Sequence, residues 1–266
     1  MEYLFGSDTV LAVIGIDGAT PSFIEKNREK LPTFDRLIKE YGIGTLLSPY
    51  KPITSAKCWT TIFTGVGPEK HGVKDFITRE RLLRRSDIPA TFVWELLEEQ
   101  GAKVAALNIV ATLPPINYNC EMLEWLPSSL SVTEEEMVQG TEKLASKSLE
   151  ILDTKPDFFA VVFVSIDRAS HLFWDTEKMM ERYKHIDLTL DTLLKKIDGD
   201  FMLVSDHGFE SAAQSVINGY ESGHDFDSQR KGGHHPDGLI LSNFDPKPRT
   251  LKDVAPTIYR RFWQSR

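Results

Sequence analysis

Short apolar runs rich in β-branched residues recur along the chain, and they constrain its fold more than any other feature. Each run is continuously apolar, which is typical of strands covered on both faces rather than of strands with one face in solvent. We interpret six of them as buried strands: residues 10–16, 43–47, 103–109, 158–166, 201–205 and 238–242. Segments with helical spacing lie between or after them, at residues 31–41, 91–100, 133–152, 175–196 and 251–263.

Strands that alternate with helices predict an α/β fold of three layers, α/β/α, in which helices cover both faces of a doubly wound, mostly parallel sheet. The 266 residues contain no internal repeat and no low-complexity linker, so we expect a single domain over residues 1–266. The least regular stretches, residues 68–90 and 113–135, could form a small cap from inserted loops. The polar segment 211–233 resembles a long surface loop, and such loops often cover active sites.

Charge and cysteine content exclude some classes of protein. A formal net charge of −8 argues against a nucleic-acid polymer as partner, because proteins that bind one present a basic surface. Cys58 and Cys120 are too few for a disulfide framework. The first apolar run ends at Asp17 after about eight residues, which is short for a signal peptide or a membrane span. We therefore expect a cytoplasmic protein without membrane association, whose oligomeric state the sequence leaves open.

Acidic residues stand at or just beyond the ends of three predicted strands: Asp17, Asp167 and Asp206. Ligands of doubly wound sheets bind beyond the carboxyl ends of the strands. Each aspartate alone could be a helix N-cap, and Asp206, His207 and Gly208 could form a simple polar turn. Three carboxylates at one edge, however, raise one another's pKa unless a cation lies among them. The cluster therefore predicts a metal site.

Histidines complete two sets of candidate ligands. His171 follows Asp167 by four residues, so the two would share one face of a helix that begins there. His234 and His235 precede the last predicted strand; one could reach the same edge while the other faces solvent. With His207 this makes six ligands, enough for two ions that each take three protein ligands. Mixed carboxylate and imidazole ligands favour zinc, with manganese as the alternative, over calcium or magnesium.

Ser55 precedes an apolar segment that contains Trp59 and ends at Thr64 and Gly65. Taken alone, Thr54 or Ser55 could be a helix N-cap, although a helix N-terminus also binds phosphate. The segments IGIDGA, TSAKCWTTIFTG, PEKHGV, DRASH, SDHGF, HHPDG and LKDVAPTIYRRF occur in this order. With them the chain resembles the alkaline phosphatase superfamily, and within it the type I phosphodiesterase/nucleotide pyrophosphatase family, over almost its whole length.

The resemblance implies an alkaline phosphatase-like hydrolase domain with two divalent metal ions. Ser55 occupies the position of the nucleophile, so the resemblance implies a phosphoseryl intermediate. His234 is preferred to His235 because the family's histidine lies four residues before the glycine of its H-x-P-x-G pattern, here Gly238. The implied ligands of one ion, which also contacts the Ser55 hydroxyl, are Asp17, Asp206 and His207; those of the other are Asp167, His171 and His234.

The implied substrate is a small phosphate ester, with nucleotides among the candidates. Two divalent ions, three carboxylates and a serine alkoxide sum to zero charge, which suits a diester better than a monoester, because a monoesterase usually needs another cation. Lys57, Asp75 and Arg168 are candidate substrate contacts, and Asp75 lies in the stretch where the family usually has an asparagine that binds phosphate. A phosphomonoesterase, a phosphonate hydrolase and a non-catalytic metal-binding protein remain as alternatives.

Overall fold

The computed structural model of the protein describes residues 9–78, 81–109, 132–221 and 230–265. Within these residues the strands are β1 Val10–Ile16, β2 Gly44–Leu47, β3 Ile77–Thr78, β4 Arg81–Leu82, β5 Val104–Leu107, β6 Phe158–Phe163, β7 Gly199–Val204, β8 Gly208–Ser211, β9 Gly232–His235 and β10 Asp237–Ser242. The helices are α1 Pro21–Lys26, α2 Pro32–Tyr41, α3 Ser55–Thr64, α4 Pro68–His71, α5 Val93–Glu99, α6 Glu134–Asp153, α7 Ser165–Phe173, α8 Glu177–Leu194, α9 Ala212–Asn218 and α10 Leu251–Gln264.

A central sheet contains six of the described strands, in the order β2-β10-β7-β1-β6-β5. Strand β1 pairs in parallel with β6 on one side and β7 on the other, and β5 pairs in parallel with β6. Strand β10 is antiparallel to both β7 and β2. Because β1 is central and later strands extend the sheet in both directions, the sheet is doubly wound and mostly parallel. The predicted fold class is confirmed.

The alternation of side chains along each strand divides the core into two layers. In β1, Leu11 and Val13 pack with residues of α3, α5 and α10, whereas Ala12 and Ile14 pack with residues of α2, α6 and α8. Every residue of β1 is buried because helices cover both faces of the sheet. This double coverage is the reason that its sequence is continuously apolar.

Two segments differ from the sequence-based interpretation. Strand β6 ends at Phe163 and α7 begins at Ser165, so Asp167 lies in the first turn of a helix rather than at the end of a strand. The segment predicted as a long loop, residues 211–233, contains α9, the end of β8 and the start of β9, and its residues 222–229 lie outside the described residues. The hairpin pairs Phe209 with His234.

The two candidate cap segments are described to different extents. Residues 68–90 contain α4, the two-stranded β3–β4 hairpin and a 3₁₀ turn at Arg85–Asp87. Most of residues 113–135 and Cys120 lie outside the described residues, and the cap and the single-domain organisation stay predictions. Cys58 is a buried free thiol. Among the described residues, no helix has both the length and the apolar character needed to cross a membrane.

Candidate metal centre

The six predicted ligands come together at the carboxyl edge of the parallel strands. Asp17 directly follows β1, and its N–H donates to the carbonyl of Phe163 at the end of β6, 2.8 Å away. Asp206 and His207 follow β7, which is the other neighbour of β1. The remaining three ligands lie in α7 and β9: Asp167, His171 and His234.

One group of side chains surrounds the Nε2 atom of His207. This nitrogen lies 3.3 Å from Asp17 Oδ1, 3.4 Å from Asp206 Oδ2 and 3.2 Å from Ser55 Oγ. Ser55 Oγ in turn donates to Asp17 Oδ1 across 3.4 Å. All four side chains are buried, so the serine hydroxyl, the imidazole and the two carboxylates are held in one small volume.

The second group is centred on Asp167 Oδ1. This oxygen lies 3.5 Å from His171 Nε2 and 3.7 Å from His234 Nε2, and the two imidazole nitrogens are 3.2 Å apart. Asp167 Oδ1 also lies 3.8 Å from His207 Nε2. The carboxylate of Asp167 therefore stands between the two groups and faces both, whereas the sequence assigned it to one ion only.

The three imidazoles are oriented alike. In each ring Nδ1 lies 3.0 to 3.1 Å from a backbone carbonyl, which requires an N–H at Nδ1 and turns Nε2 toward the centre. The Nε2 atoms of His171 and His234 thus face each other at 3.2 Å, so two potential metal ligands point toward the same space. A cation there could be coordinated by both nitrogens. The three accepting carbonyls belong to Gly232, Gly208 and Ile53.

Buried carboxylate oxygens without donors point to the same conclusion. Both oxygens of Asp206 and the Oδ1 of Asp167 are buried and accept no hydrogen bond. Burying a charge without a partner is costly, and coordination to a metal is one of the few ways to compensate for it. Together with the orientation of the imidazoles, these unpartnered oxygens indicate that the donor set fits a divalent cation.

Without a cation, protons must balance the charge of the cluster. Burial, reinforced by Asp17, raises the pKa of Asp206 well above its usual range. Burial opposes a charge on His207, but the carboxylates of Asp206, Asp17 and Asp167 outweigh it and raise the pKa of His207 to about 10. Burial lowers the pKa of His171 to about 3, so this ring stays neutral and its Nε2 remains a donor atom for a metal.

Ser55 is the first residue of α3, and its hydroxyl faces the candidate metal ligands instead of capping the helix. Thr54 occupies the N-cap position, yet its side chain makes no cap and donates to the carbonyl of Lys74 at 2.8 Å. The free N–H groups and the positive end of the helix dipole therefore lie next to the serine oxygen, an arrangement that favours a phosphate group there.

Trp59 supports the centre in a way that the sequence analysis missed. Its Nε1 donates to Asp17 Oδ2 at 2.8 Å and fixes the carboxylate from behind. A Cβ atom at Gly15 would lie 2.6 Å from the Trp59 ring, so glycine is needed for this close approach of α3 to β1. The sequence could have suggested this contact, because the N–H of a buried Trp usually has a hydrogen-bond acceptor.

Glu221 is a second residue that was missed, and it holds His234. Its Oε1 accepts the backbone N–H of His234 at 3.2 Å, and its Oε2 pairs with Nη1 of Arg230 at 3.3 Å. The Glu221 side chain is only 4% exposed. Nothing in the polar stretch around Glu221 distinguishes it from a solvated residue, so the contact is visible only in the structure.

The predicted substrate contacts Lys57, Asp75 and Arg168 do not join the ligands. Lys57 Nζ donates to the carbonyl of Pro52 at 2.7 Å, and burial lowers the pKa of Lys57. Asp75 is exposed and accepts the N–H of Phe76. Arg168 acts on Glu136 in α6, whose pKa is lowered by hydrogen bonds from Thr133 and further by Arg168.

His235 lies apart from the centre. Its side chain is 31% exposed, and its Nδ1 accepts the N–H of Asp237 at 3.3 Å. The neighbouring His234 is the one whose Nε2 approaches His171 and Asp167. His234, rather than His235, is thus the histidine that lies in the cluster, and its role as a metal ligand stays a prediction.

A doubly wound α/β/α fold with carboxylates and imidazoles beside a serine at the strand ends defines the class: the alkaline phosphatase superfamily. The sequence model of the type I phosphodiesterase / nucleotide pyrophosphatase family matches residues 11–261, and the chain belongs to this family. The resemblance stated from the motifs is thereby confirmed. The chain has no match among the curated proteins.

Solved structures share the fold. Murine ectonucleotide pyrophosphatase / phosphodiesterase 5, an inactive form in complex with AMP, is 12% identical over 96% of this chain and 95% of its own, with a TM-score of 0.66. The human protein is 14% identical over 96% and 94%, with a TM-score of 0.65. Phosphonoacetate hydrolase from Sinorhizobium meliloti 1021 with phosphonoformate is 13% identical over 77% of this chain, with a TM-score of 0.60. The present chain spans 57% of the length of that hydrolase.

Proposed function

We propose that the protein is a metal-dependent hydrolase of small phosphate diesters or pyrophosphates, including nucleotides, and that Ser55 is its nucleophile. The observation that carries the proposal is the pair of facing Nε2 atoms of His171 and His234, in a cluster that also holds Ser55 Oγ 3.2 Å from His207 Nε2. Membership in the type I phosphodiesterase / nucleotide pyrophosphatase family supports hydrolysis of phosphate esters. The AMP complex of the murine relative supports a small nucleotide as substrate.

The chain's own residues divide into two ligand sets. When bound, the two ions supply positive charge that lowers the pKa of the serine hydroxyl and offsets the charge of the phosphate. Asp167 faces both sets and links them electrostatically. One ion would be held by Asp17, Ser55, Asp206 and His207, and the other by Asp167, His171 and His234.

Ser55 carries the covalent step. Its hydroxyl releases its proton to solvent, and Oγ forms a bond to phosphorus while the bond from phosphorus to the leaving oxygen breaks. The leaving group departs with the electron pair and takes a proton from solvent. Water then hydrolyses the phosphoseryl ester and restores the hydroxyl. Asp17, fixed by Trp59, accepts the hydrogen bond of the hydroxyl, and the N–H groups at the start of α3 stabilise the nonbridging oxygens.

The charge balance favours a diester over a monoester. A monoester brings about two negative charges and usually requires an additional cation at the phosphate. Lys57, the nearest candidate in sequence, directs its ammonium group to the Pro52 carbonyl. Phosphomonoesterase and phosphonate hydrolase activities remain the second candidates, and the shared fold of phosphonoacetate hydrolase supports testing them.

The experiment compares turnover of bis-p-nitrophenyl phosphate, p-nitrophenyl phosphate and phosphonoacetate by the protein loaded with zinc or manganese. We expect the diester to be preferred at least about tenfold and Ser55→Ala to lose on the order of a thousandfold in turnover while it retains its metal. Acid quenching should trap the substrate's phosphoryl group on the peptide that contains Ser55. Ser48→Ala, a buried serine hydrogen-bonded to Cys58, is the matched control and should stay active.

Each result has a separate meaning. A large preference for the monoester or for phosphonoacetate would reject the diester assignment. Full turnover by Ser55→Ala would show that Ser55 is not the nucleophile. A protein that binds the metals tightly but hydrolyses none of the three compounds would favour the non-catalytic alternative.

A further inference from the structure

Thr20 lies three residues after Asp17, between β1 and α1, and takes no part in the proposed covalent step. The residue is only 4% exposed. Its hydroxyl donates to the carbonyl of Gly18 at 3.2 Å and accepts the N–H of Phe209 at 2.9 Å. Gly18 directly follows Asp17, and Phe209 lies two residues after His207. One buried hydroxyl therefore joins the segments that carry two candidate ligands of the same ion.

Gly18 is the point at which this turn meets two other ligand-bearing segments. Its φ is +74°, a left-handed conformation that glycine adopts without strain. A Cβ atom there would lie 2.6 Å from the Phe209 ring and 3.0 Å from the Cα of Asp167 in the first turn of α7. Because the contact is this close, the turn after Asp17 cannot shift without displacing Phe209 or α7.

The Phe209 ring packs against all three imidazoles of the cluster. Its centroid lies 4.8, 5.4 and 5.6 Å from the ring centroids of His171, His234 and His207. Phe209 is itself only 3% exposed. The position of this ring therefore affects the direction in which each Nε2 points, and the Thr20 hydroxyl connects the backbone of Phe209 to the turn after Asp17.

Thr20 is in turn fixed by α8. Its N–H donates to the hydroxyl of Tyr183 at 3.1 Å. Tyr183 is fully buried, and its ring packs on Phe23 with the centroids 4.5 Å apart. None of the hydrogen bonds of Thr20 involves an atom that would bind a metal, so they can hold both ligand segments before and after an ion binds.

We propose that Thr20 is a positioning residue that keeps Asp17 and His207 in place for the ion next to Ser55. This inference rests on the proposed function, because it concerns the ligands of that ion. Ligands that are already in place lose less conformational freedom when the ion binds, so the affinity is higher. The β8–β9 ladder holds His234 without Thr20, so the other ion should depend on Thr20 much less.

The test measures the zinc affinity of both sites by competition with a chromophoric chelator. Thr20→Val keeps the shape of the side chain but can neither donate nor accept a hydrogen bond. It should weaken the site next to Ser55 about tenfold and change the other site by less than about threefold. Thr20→Ser restores the hydroxyl and should recover the wild-type affinity within about threefold. Thr20→Ala, which avoids placing a methyl group against these polar atoms, gives the same comparison if Thr20→Val does not fold.

Two further measurements assign the effect. The site next to Ser55 is measured alone in a background in which both His171 and His234 are alanine, and Thr20→Val should weaken it there as well. Thr141→Val is the matched control, since this buried threonine donates within its own helix α6, to the Met137 carbonyl at 2.9 Å. Both zinc affinities of the control should equal those of the wild type.

Three outcomes would overturn the inference. Unchanged zinc affinities in Thr20→Val would show that the ligands keep their places without the hydroxyl, and equal weakening of both sites would indicate a general loss of stability. A Thr20→Ser variant as weak as Thr20→Val would show that the hydroxyl is not the group that matters. Failure of the proposed function would look different, because the wild-type protein would then bind zinc with the same dependence on Thr20 but hydrolyse none of the three test compounds.

Discussion

Asp206→Asn should stabilise the metal-free protein even though it removes a proposed metal ligand. Both carboxylate oxygens of Asp206 are buried without a hydrogen-bond donor, and burial together with Asp17 raises its pKa well above the usual range. The folded protein must therefore take up a proton at Asp206 that the unfolded chain has released. Asparagine has nearly the same shape and is neutral in both states, so it avoids this proton uptake.

The size and sign of the effect follow from proton linkage. An acid whose pKa is raised by folding loses stability as the pH rises above its pKa in the unfolded chain, about 3.9 for aspartate, until the pKa of the folded state is reached. Each pH unit in that window corresponds to about 1.4 kcal/mol. The advantage of Asp206→Asn should be about 0.5 kcal/mol at pH 4 and about 1.5 kcal/mol at pH 5, the latter a rise of roughly 3–6 °C in Tm.

Thermal unfolding of wild type and Asp206→Asn in chelator between pH 4 and 7 measures the effect, and added zinc should reverse the order because the wild type binds it better. Asp187→Asn is the control, since this buried carboxylate accepts the N–H groups of Phe34 and Thr33 at 2.8 and 3.0 Å. The control should lose about 1–3 kcal/mol. If Asp206→Asn were also less stable than wild type in chelator at every pH, the Asp206 carboxylate would have hydrogen-bond partners in the metal-free fold. That result would refute the reasoning.

The remaining predictions concern the surroundings of the centre. Glu221→Ala leaves the N–H of His234 without its acceptor, so it should weaken zinc binding at one site about 10–100-fold and spare the other site. A competition titration with a chromophoric chelator measures both affinities, and equal weakening of the two sites would contradict the prediction. Trp59→Phe removes the donor to Asp17 and should lower the free energy of unfolding by about 2–4 kcal/mol in urea titrations, and an unchanged midpoint would argue against the contact. Burial lowers the pKa of His71 to about 4, so as the pH falls His71 is protonated in the unfolded chain before it is protonated in the folded protein. Stability should then decrease between about pH 6.5 and 4 by on the order of 1–3 kcal/mol, and His71→Gln should flatten this part of the profile.

The fold and the position of the ligands were predictable because both depend on local pattern. Strands covered on both faces have no solvent side, so β1 is apolar throughout, and the sheet could be predicted from such runs. Parallel strands end at the same edge, which brings Asp17 and Asp206 together once the strands are known. His171 follows from helical spacing, since α7 places it one turn after Asp167.

Contacts between distant segments were not predictable in the same way. Glu221 reaches His234 because the β8–β9 hairpin folds a polar segment back toward the sheet, and no local pattern indicates that register. The sequence suggested Lys57 as a substrate contact, whereas in the fold its ammonium group donates to the Pro52 carbonyl. The position of Asp167 between the two ligand groups depends on the start of α7 at Ser165, two residues before it. The cytoplasmic location remains a prediction.

The number of zinc ions bound per chain tests the central claim most directly. Calorimetric titration of the metal-free protein, checked by elemental analysis, should give two tight sites in the wild type. Replacement of both His171 and His234 by alanine should abolish one site and preserve the one next to Ser55. A wild-type protein that binds no zinc tightly, or a double variant whose stoichiometry equals that of the wild type, would contradict the account.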